Sequence, residues 1–390
     1  MKNRKKLIIA FIVAGFLAYG VHWIYYNRWI DPFDELIQLS NEADYSLYGL
    51  TSDRDDSIKA LNTYGSIITR YKYDMEQYNY RDSYLYMWYE SRADLHLGLG
   101  NYRLAIEDLN RIIAWNKERS NLNNERLMKL YMKRSNAFLK NKDFENAIID
   151  TDNALAAFEE VDMLTKYYRN DERELADIYS HRAKVYFENE DFEKAYGEIE
   201  KALGYRSSVG PAAVGFGLDA FFDESNRFNL AKEIIFAGDI LAKMGDYHSA
   251  TNYYSATLEA AHTLTDFFRR NIEFKALQQR IKSYFYIGQY KESFEDGNKL
   301  LSLYGELQVN PPSEIYRYRG RSRYVLGDRF GAKDDMVKAK ELNESDGLAH
   351  LYLGLLRIER NNVVEGCTDL RRAAENNVEE AFNFIREFCR

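Results

Sequence analysis

The sequence is poor in the residues that build disulfide-rich, metal-binding or sheet-rich proteins. It contains only 2 cysteines, 4 prolines and 6 histidines among 390 residues. Two cysteines exclude a multi-disulfide scaffold and a zinc site of four thiolates, and no histidines stand in pairs with metal-ligand spacing. No stretch alternates apolar and polar residues with period two, so no sheet is expected. These absences predict an all-α protein without a catalytic metal or cofactor.

Apolar and aromatic residues are abundant, and they recur at helical spacing from Asp34 onward. Hydrophobic residues make up 46% of the chain, which includes 32 tyrosines and 22 phenylalanines. This composition excludes a wholly disordered chain. A chain of this length would ordinarily divide into two or three domains, unless it is a repeat array.

The basic N-terminus precedes one long uncharged run, residues 7–27. As a helix this run would reach about 31 Å, the thickness of the hydrocarbon core of a bilayer. Tryptophans and tyrosines crowd its end, as they do at the membrane interface. We therefore expect a transmembrane signal anchor at 7–27 followed by a linker at 28–33. A cleaved signal peptide, ending near Ala18-Tyr19-Gly20, is the alternative.

Positive charge on the N-terminal side of the run sets the expected orientation. Residues 1–6 carry four basic side chains, whereas the segment after the run opens with Arg28 alone. The positive-inside rule then keeps residues 1–6 in the cytoplasm and places residues 28–390 outside it, in the periplasm if the cell is Gram-negative. An anchor in the outer membrane of an organelle, with the body facing the cytosol, is a further possible topology. The body is acidic, since the whole chain has a formal net charge of −8, so no nucleic-acid partner is expected.

A short phrase returns along the body: a polar or glycine turn, an aromatic residue, and a small residue three places later. The aromatic residues are Tyr102, Phe144, Phe192, Tyr247 and Tyr290, with degenerate copies at Arg329 and Val363. The small residues of the seven copies are Ala105, Ala147, Ala195, Ala250, Ser293, Ala332 and Gly366. Nine positions before the aromatic residue, most copies carry a second small residue, namely Ala93, Ser135, Ala183, Gly238 and Gly320, with Ile281 as the exception. Two antiparallel helices can approach closely only where their facing side chains are small, so each phrase predicts a helix-turn-helix unit that stacks on its neighbours.

This pattern resembles the tetratricopeptide repeat (TPR) family, most clearly from Arg92-Ala93 through Gly100-Asn101-Tyr102 to Leu109. The resemblance covers roughly residues 85–376 and implies an α-solenoid, a right-handed superhelix of about eight units within residues 34–390. Residues 34–70 are expected to form a divergent first unit. The chain departs from the family in its spacing, because the small residues recur at intervals of 34 to 55 residues, and in the scarcity of the proline that usually closes a repeat.

The two cysteines fall in the last unit, on either side of the turn at Asn376-Asn377. Cys367 and Cys389 lie at similar heights of the expected hairpin, so they could form one disulfide in an oxidising compartment. The alternative is two buried thiols.

The longest interval between small residues, from Ala195 to Ala250, contains an insert at 204–226 that is too apolar for a solvent-exposed connecting loop. Its aromatic residues Phe216, Phe221 and Phe222 either fold back onto the array or dock a partner. Gly215-Phe216-Gly217 follows no strand, so it does not indicate a nucleotide-binding loop.

No arrangement of residues indicates a catalytic site, and acidic pairs such as Asp150 with Asp152 are expected on solvated helix faces. The expected function is therefore non-enzymatic: a membrane-tethered scaffold that binds a partner protein or peptide in the concave groove of the solenoid, for example an envelope assembly factor. The predicted groove residues are Lys275, Gln278, Lys282, Arg317 and Arg321, with Glu90 and Asp94 at an acidic end. Ordinary solvent-facing charge is the alternative for this set.

The competing function is a glycan-binding, ligand-binding or enzymatic solenoid that uses rings such as Tyr84, Tyr86, Trp88 and Tyr89 as stacking platforms. The sequence does not indicate an oligomeric state.

Overall fold

The computed structural model describes residues 32–47, 54–75, 82–118, 124–160, 171–208 and 219–389. These ranges contain seventeen helices and no strand. Six helices come first: α1 (Pro32–Leu47), α2 (Arg54–Met75), α3 (Asp82–Gly98), α4 (Tyr102–Glu118), α5 (Asn124–Lys140) and α6 (Phe144–Glu159). The next six are α7 (Asp171–Glu188), α8 (Phe192–Ser208), α9 (Asp219–Lys243), α10 (Tyr247–Ala261), α11 (Asp266–Tyr286) and α12 (Tyr290–Glu306). The last five are α13 (Ser313–Val325), α14 (Arg329–Leu342), α15 (Gly347–Glu359), α16 (Val363–Glu375) and α17 (Glu379–Phe388).

The helices form eight antiparallel pairs, from α1/α2 to α15/α16, and α17 stands alone at the end. They divide into two compact units, residues 1–162 (unit 1) and 163–390 (unit 2). Within each unit, every helix packs mainly on its neighbours in sequence. This is the contact pattern of a helical repeat array, in which no pair buries its apolar side alone.

The small residues lie where the two helices of a pair cross. All those of the repeated phrase are buried, from Ala105 in α4 to Gly366 in α16. Gly354 in α15 occupies the equivalent first-helix position in the last pair, which the sequence analysis did not include. A Cβ atom at Gly354 would lie 2.9 Å from Leu370 and 3.0 Å from the carbonyl oxygen of Gly366. Size therefore decides these positions, because a larger side chain would push the two backbones apart.

The turn residue two places before each aromatic position adopts a left-handed conformation. It is glycine in four pairs, for example Gly100 at a φ of 80°, but Lys142, Glu190 and Asn361 adopt φ values of 61° to 63° without being glycine. The turns close by backbone hydrogen bonds such as Asn101 N–H to the His96 carbonyl oxygen at 2.8 Å. This is the usual way to terminate a helix and reverse the chain.

A buried ion pair that the repeated phrase does not predict joins the two helices in five of the helix pairs. An arginine directly before the first-helix crossing position, which holds a small residue in four of these pairs and Ile281 in the fifth, donates to a carboxylate 16 positions later, on the second helix, at 2.5 to 2.9 Å. The pairs are Arg92–Asp108, Arg134–Asp150, Arg182–Glu198, Arg280–Asp296 and Arg319–Asp335. In four of the pairs the arginine binds both carboxylate oxygens, whereas Arg182 binds one oxygen of Glu198 with two nitrogens; contacts of this kind fix the register of the two helices.

The C-terminal helix is covalently attached to its neighbour. Cys367 in α16 and Cys389 directly after α17 form a disulfide, with an S–S distance of 2.00 Å and a Cα–Cα distance of 5.6 Å. Val378 and Ala381 pack α17 into a cluster with Leu351 of α15 and Leu370 of α16. The disulfide and this cluster together hold the end of the array.

The predicted insert is helical at both ends, because α8 extends to Ser208 and α9 begins at Asp219. Residues 209–218, including Phe216, lie outside the described residues. Phe221 and Phe222 fall within α9, and the description does not extend to their side chains.

None of the helices in the described ranges is both long and apolar enough to cross a membrane. The predicted anchor at 7–27, the tail at 1–6 and most of the linker at 28–33 lie outside those ranges.

Candidate functional site

In unit 2, the first helices of successive pairs contact one another, from α7 through α9, α11 and α13 to α15. Among the described residues, successive second helices make no comparable contacts. We call the exposed side of these first helices the first-helix face. Because helices on the inside of a curved array approach each other more closely than those on the outside, this face is the concave one.

Most of the basic groove residues predicted from the sequence lie on this face, but they are paired. Lys282 of α11 forms an ion pair with Glu314 of α13 at 3.0 Å, and Gln278 donates to the same carboxylate at 3.4 Å. Arg317 of α13 contacts Glu314 at 3.2 Å and Asp346, the N-cap of α15, at 3.1 Å. These contacts connect consecutive first helices. Most of the positive charge that was predicted to bind a partner is therefore neutralised by acids of the chain itself.

Arg321 and Lys275 are different. The Arg321 guanidinium lies 4.1 Å from the ring centroid of Phe285 and 5.4 Å from that of Tyr352, so it stacks between aromatic rings. Lys275 is exposed and, within the described part of the chain, has no ion-pair partner. Of the two predicted groove lysines, Lys282 is paired, whereas Lys275 has no ion-pair partner among the described residues.

The predicted acidic end lies in unit 1, where it is neutralised. Glu90 and Asp94 of α3 contact the Lys133 ammonium of α5 at 3.0 and 2.9 Å, and Glu90 also contacts Arg126 at 3.3 Å. These contacts again join first helices of consecutive pairs. The structure therefore gives Glu90 and Asp94 a role in stacking these pairs.

The rings considered as a glycan platform lie between helices. Trp88 and Tyr89 are buried, and Tyr86 stacks on Trp115 of α4 with 4.1 Å between ring centroids. The ring centroid of Tyr84 lies 6.3 Å from that of Trp88 on the same helix. Tyr86, Trp88 and Tyr89 therefore belong to the core between helices.

A small cavity with buried charges lies between the first helices α7 and α9. Its volume is about 140 Å³, and α8 contributes Arg206 to its lining. The Arg206 side chain is 1% exposed. It donates to both carboxylate oxygens of Glu233, at 2.6 and 3.1 Å, and to Asp177 at 2.6 Å. One guanidinium thus holds two carboxylates from two different first helices.

Apart from Phe236 of α9, the rest of the cavity lining is polar or basic: Ser180, His181 and Lys184 from α7, and Asn229 and Lys232 from α9. Burial, with a smaller contribution from the nearby Lys184 charge, lowers the pKa of His181 to about 4, so this imidazole is neutral at physiological pH. Burial also lowers the pKa of Lys232, and the positive charges of Lys184 and Lys275 act in the same direction. Lys232 therefore has a like-charged lysine on each of the two adjacent first helices, and the neighbouring Glu233 offsets part of their effect.

Asp239 of α9 is a further buried acid near these lysines. Its carboxylate accepts a hydrogen bond from the Tyr254 hydroxyl at 2.8 Å. Burial raises its pKa to about 6, although that hydrogen bond and the charges of Lys282 and Lys275 lower it. The folded chain therefore takes up a proton here at a higher pH than the unfolded chain does.

The pKa of Asp239 predicts a stability gain on neutralisation. Because the folded pKa lies above the ordinary value of 3.8, ionised Asp239 opposes folding above about pH 6, and this cost disappears as the pH falls towards the unfolded value. Asp239→Asn should raise the free energy of unfolding at about pH 7 by up to about 3 kcal/mol. The gain should shrink as the pH falls towards 4, as urea denaturation at several pH values would measure. Glu292→Gln, at an exposed site, is the control, and a gain for Asp239→Asn that did not change with pH would contradict this account.

Among the described residues, no group of three or more histidine, cysteine or acidic side chains is placed to hold a metal ion. His350 is buried, its Nδ1 lies 3.2 Å from Asp369, and its Nε2 lies 3.0 Å from the Glu344 carbonyl oxygen. Arg357 contacts the same Asp369 at 2.6 Å. In the last pair, this cluster takes the place of the ion pair found in the five others.

Comparisons with known proteins support the fold. No family model matches the chain. Human tetratricopeptide repeat protein 13 is 26% identical over 105 residues, which are 27% of this chain and only 12% of that protein. The structure of apo RapI is similar with a TM-score of 0.59 at 13% identity, covering 90% of this chain and 92% of RapI.

Two further solved structures are named for the same repeat. One is a signal transduction ATPase with numerous domains that has a tetratricopeptide repeat sensor, from Pyrococcus horikoshii, with a TM-score of 0.55, 14% identity and coverage of 91% of this chain and 53% of that one. The other is the C-terminal part of a TPR repeat-containing protein from Cytophaga hutchinsonii, with a TM-score of 0.50, 15% identity and coverage of 75% and 97%. At these identities the likeness defines the fold alone. The described part of the chain is a TPR-like α-solenoid.

Proposed function

We propose that this chain is a non-enzymatic scaffold that binds a partner protein or peptide along the first-helix face of unit 2. The observation that carries the proposal is the continuous face formed by α7, α9, α11, α13 and α15, on which the exposed Lys275 has no ion-pair partner among the described residues. A long concave surface of this kind suits an extended or helical segment of another protein. The TPR-like fold is consistent with this use.

The proposal includes attachment to a membrane through residues 7–27, with the repeats outside the cytoplasm. The Cys367–Cys389 disulfide supports this location, because disulfides persist in oxidising compartments and are rare in the cytosol. An extracytoplasmic scaffold of this kind could take part in the assembly of envelope complexes. Protease added to intact cells, or to cells with a permeabilised outer membrane, should then cleave the repeats while the cytoplasmic membrane is intact. Cleavage only after that membrane is disrupted would contradict the orientation.

Site-specific photo-crosslinking in cells tests the scaffold itself. A photo-reactive amino acid at Gln278 or Leu355, on the first helices α11 and α15, should give the same protein adduct at both positions. Matched probes at Lys299 and Lys338, on the second helices α12 and α14, should not give it. Adducts of equal yield from the second helices, or none from the first helices, would refute partner binding on this face.

A further inference from the structure

Two strongly exposed apolar side chains lie at the turns of the last two helix pairs. Phe330, the second residue of α14, is 75% exposed, and Val364, the second residue of α16, is 81% exposed. Both stand two positions before the small residue of their second helix. At this position the five earlier copies of the repeated phrase carry exposed charged or polar residues, namely Arg103, Glu145, Glu193, His248 and Lys291. Among the seven copies, only the last two are apolar here.

The two turns form one surface. The turns within antiparallel pairs all lie at the same edge of an array, and the Arg360 guanidinium of the second turn lies 4.4 Å from the ring centroid of Phe330. Further exposed apolar side chains belong to the same turns: Val325, Leu326 and Val363. We call these five apolar side chains the apolar edge. Apolar groups gathered in one exposed place mark a contact with another apolar body.

The charge beside the apolar edge is mainly positive once the internal ion pairs are counted. The acids of the two turns are held by arginines of the chain, in the pairs Arg323–Asp328, Arg329–Glu359 and Arg357–Glu365.

Three cations beside the apolar edge are not held in this way. Lys333 stands one helical turn after Phe330, and Arg371 stands two turns after Val364 on the same side of α16. Within the described ranges Lys333, Arg360 and Arg371 form no ion pair, and beside them Asp334 is an acid that forms none either. Apolar side chains surrounded by unpaired cations match a lipid surface, whose hydrocarbon accepts the former and whose phosphates attract the latter.

We propose that the apolar edge contacts a phospholipid surface, with Phe330 and Val364 inserted at the boundary between headgroups and acyl chains. Arg360 and Lys333 then lie at the level of the lipid phosphates. A two-fold contact of this edge with a second copy of the chain is less favourable, because it would bring the same unpaired cations face to face. The contact is separate from the predicted anchor at 7–27. It also uses a different side of unit 2 from the first-helix face, which stays available to a partner protein.

Site-specific photo-crosslinking of the full chain tests the proposal, with vesicles of equal parts phosphatidylcholine and phosphatidylglycerol. A photo-reactive amino acid at Phe330 or at Val364 should give an adduct with the mass of one phospholipid. The yield at Val364 should fall about tenfold in Phe330→Ser, because the burial of one aromatic ring is lost. Lys333→Gln/Arg360→Gln should lower it severalfold on these vesicles and leave it unchanged on pure phosphatidylcholine.

Phe267 provides the matched control, because it is 81% exposed but follows a connection between pairs, at the opposite edge of the array. A probe at Phe267 should give no lipid adduct, and Phe267→Ser should leave the yield at Val364 unchanged. Circular dichroism checks that each variant is folded, as expected for replacements of exposed side chains.

Three results would overturn the proposal: no lipid adduct at Phe330 and Val364, an equal yield at Phe267, or adducts of twice the mass of the chain in place of lipid adducts. Because the readout compares positions, it does not depend on whether residues 7–27 enter the bilayer. The adducts expected at Gln278 and Leu355 would stand if only the lipid contact were wrong.

Discussion

Replacing Arg206 by methionine is expected to lower the free energy of unfolding of unit 2 by about 3–5 kcal/mol. Glu233 would then be a buried carboxylate without its cation, since its side chain is only 6% exposed. Asp177, whose side chain is 59% exposed, can be solvated instead. Burial already raises the pKa of Glu233 despite the presence of Arg206, which indicates how unfavourable the unpaired charge would be. Urea denaturation followed by circular dichroism measures the loss.

Two further variants separate loss of the pair from loss of the arginine side chain. Arg206→Met/Glu233→Leu removes both charges, so most of the stability should return, as it does when buried ion pairs are replaced by apolar residues of similar size. Arg269→Met breaks the exposed contact with Asp266 and should cost less than about 1 kcal/mol. A double variant as unstable as Arg206→Met would show that the shape of the arginine matters more than its charge, contrary to this prediction.

The second large effect is expected at the ion pair between α5 and α6. Arg134→Met leaves Asp150, with a side chain that is 1% exposed, without the guanidinium that binds both of its oxygens. The expected loss is again about 3–5 kcal/mol. Arg134 also donates to Asn110 of α4 at 2.6 Å, so the loss should extend to the neighbouring pair. Hydrogen exchange of the amides of α4, α5 and α6 should report it as faster exchange in all three helices.

A surface pair in the same unit provides the matched control. Arg126→Met removes a partly exposed contact with Glu90 at 3.3 Å, for which a cost below about 1 kcal/mol is expected. Arg134→Met/Asp150→Leu should restore slow exchange. If Arg134→Met and Arg126→Met had equal effects, the buried pair would not be the clamp inferred from its geometry.

The architecture could be predicted from the sequence because it depends on residue size at a few positions. Ala105, Ala147 and Ala195 had to be small wherever two helices cross, and all three have no exposed surface. The first, divergent pair was recognisable from its apolar spacing, since Ala60, Tyr64 and Ile67 form the buried side of α2. Packing of this kind leaves a periodic signal in one chain.

The ion pairs leave a weaker signal in the sequence than the small residues at the helix crossings do. Arg92, Arg134 and Arg182 each directly precede a small residue of a first helix. This recurring arginine is visible when the repeats are aligned, and it is the sequence signal for the buried ion pairs. Which lysines of the first-helix face remain free could not be read from the sequence. It depends on whether an acid of the next first helix reaches them, as Glu314 reaches Lys282 while none of the described acids forms an ion pair with Lys275.

The disulfide at the end of the array determines where unit 2 can begin to lose structure. Helical arrays open most easily from their ends, because a terminal pair has a neighbour on one side only. A bond between Cys367 and Cys389 closes a loop across 22 positions and removes much of the entropy that α17 would gain by detaching. Under tension or mild denaturation, unravelling would therefore start away from this covalently closed end. The last helices would then stay folded and serve as the nucleus on which the rest of unit 2 refolds.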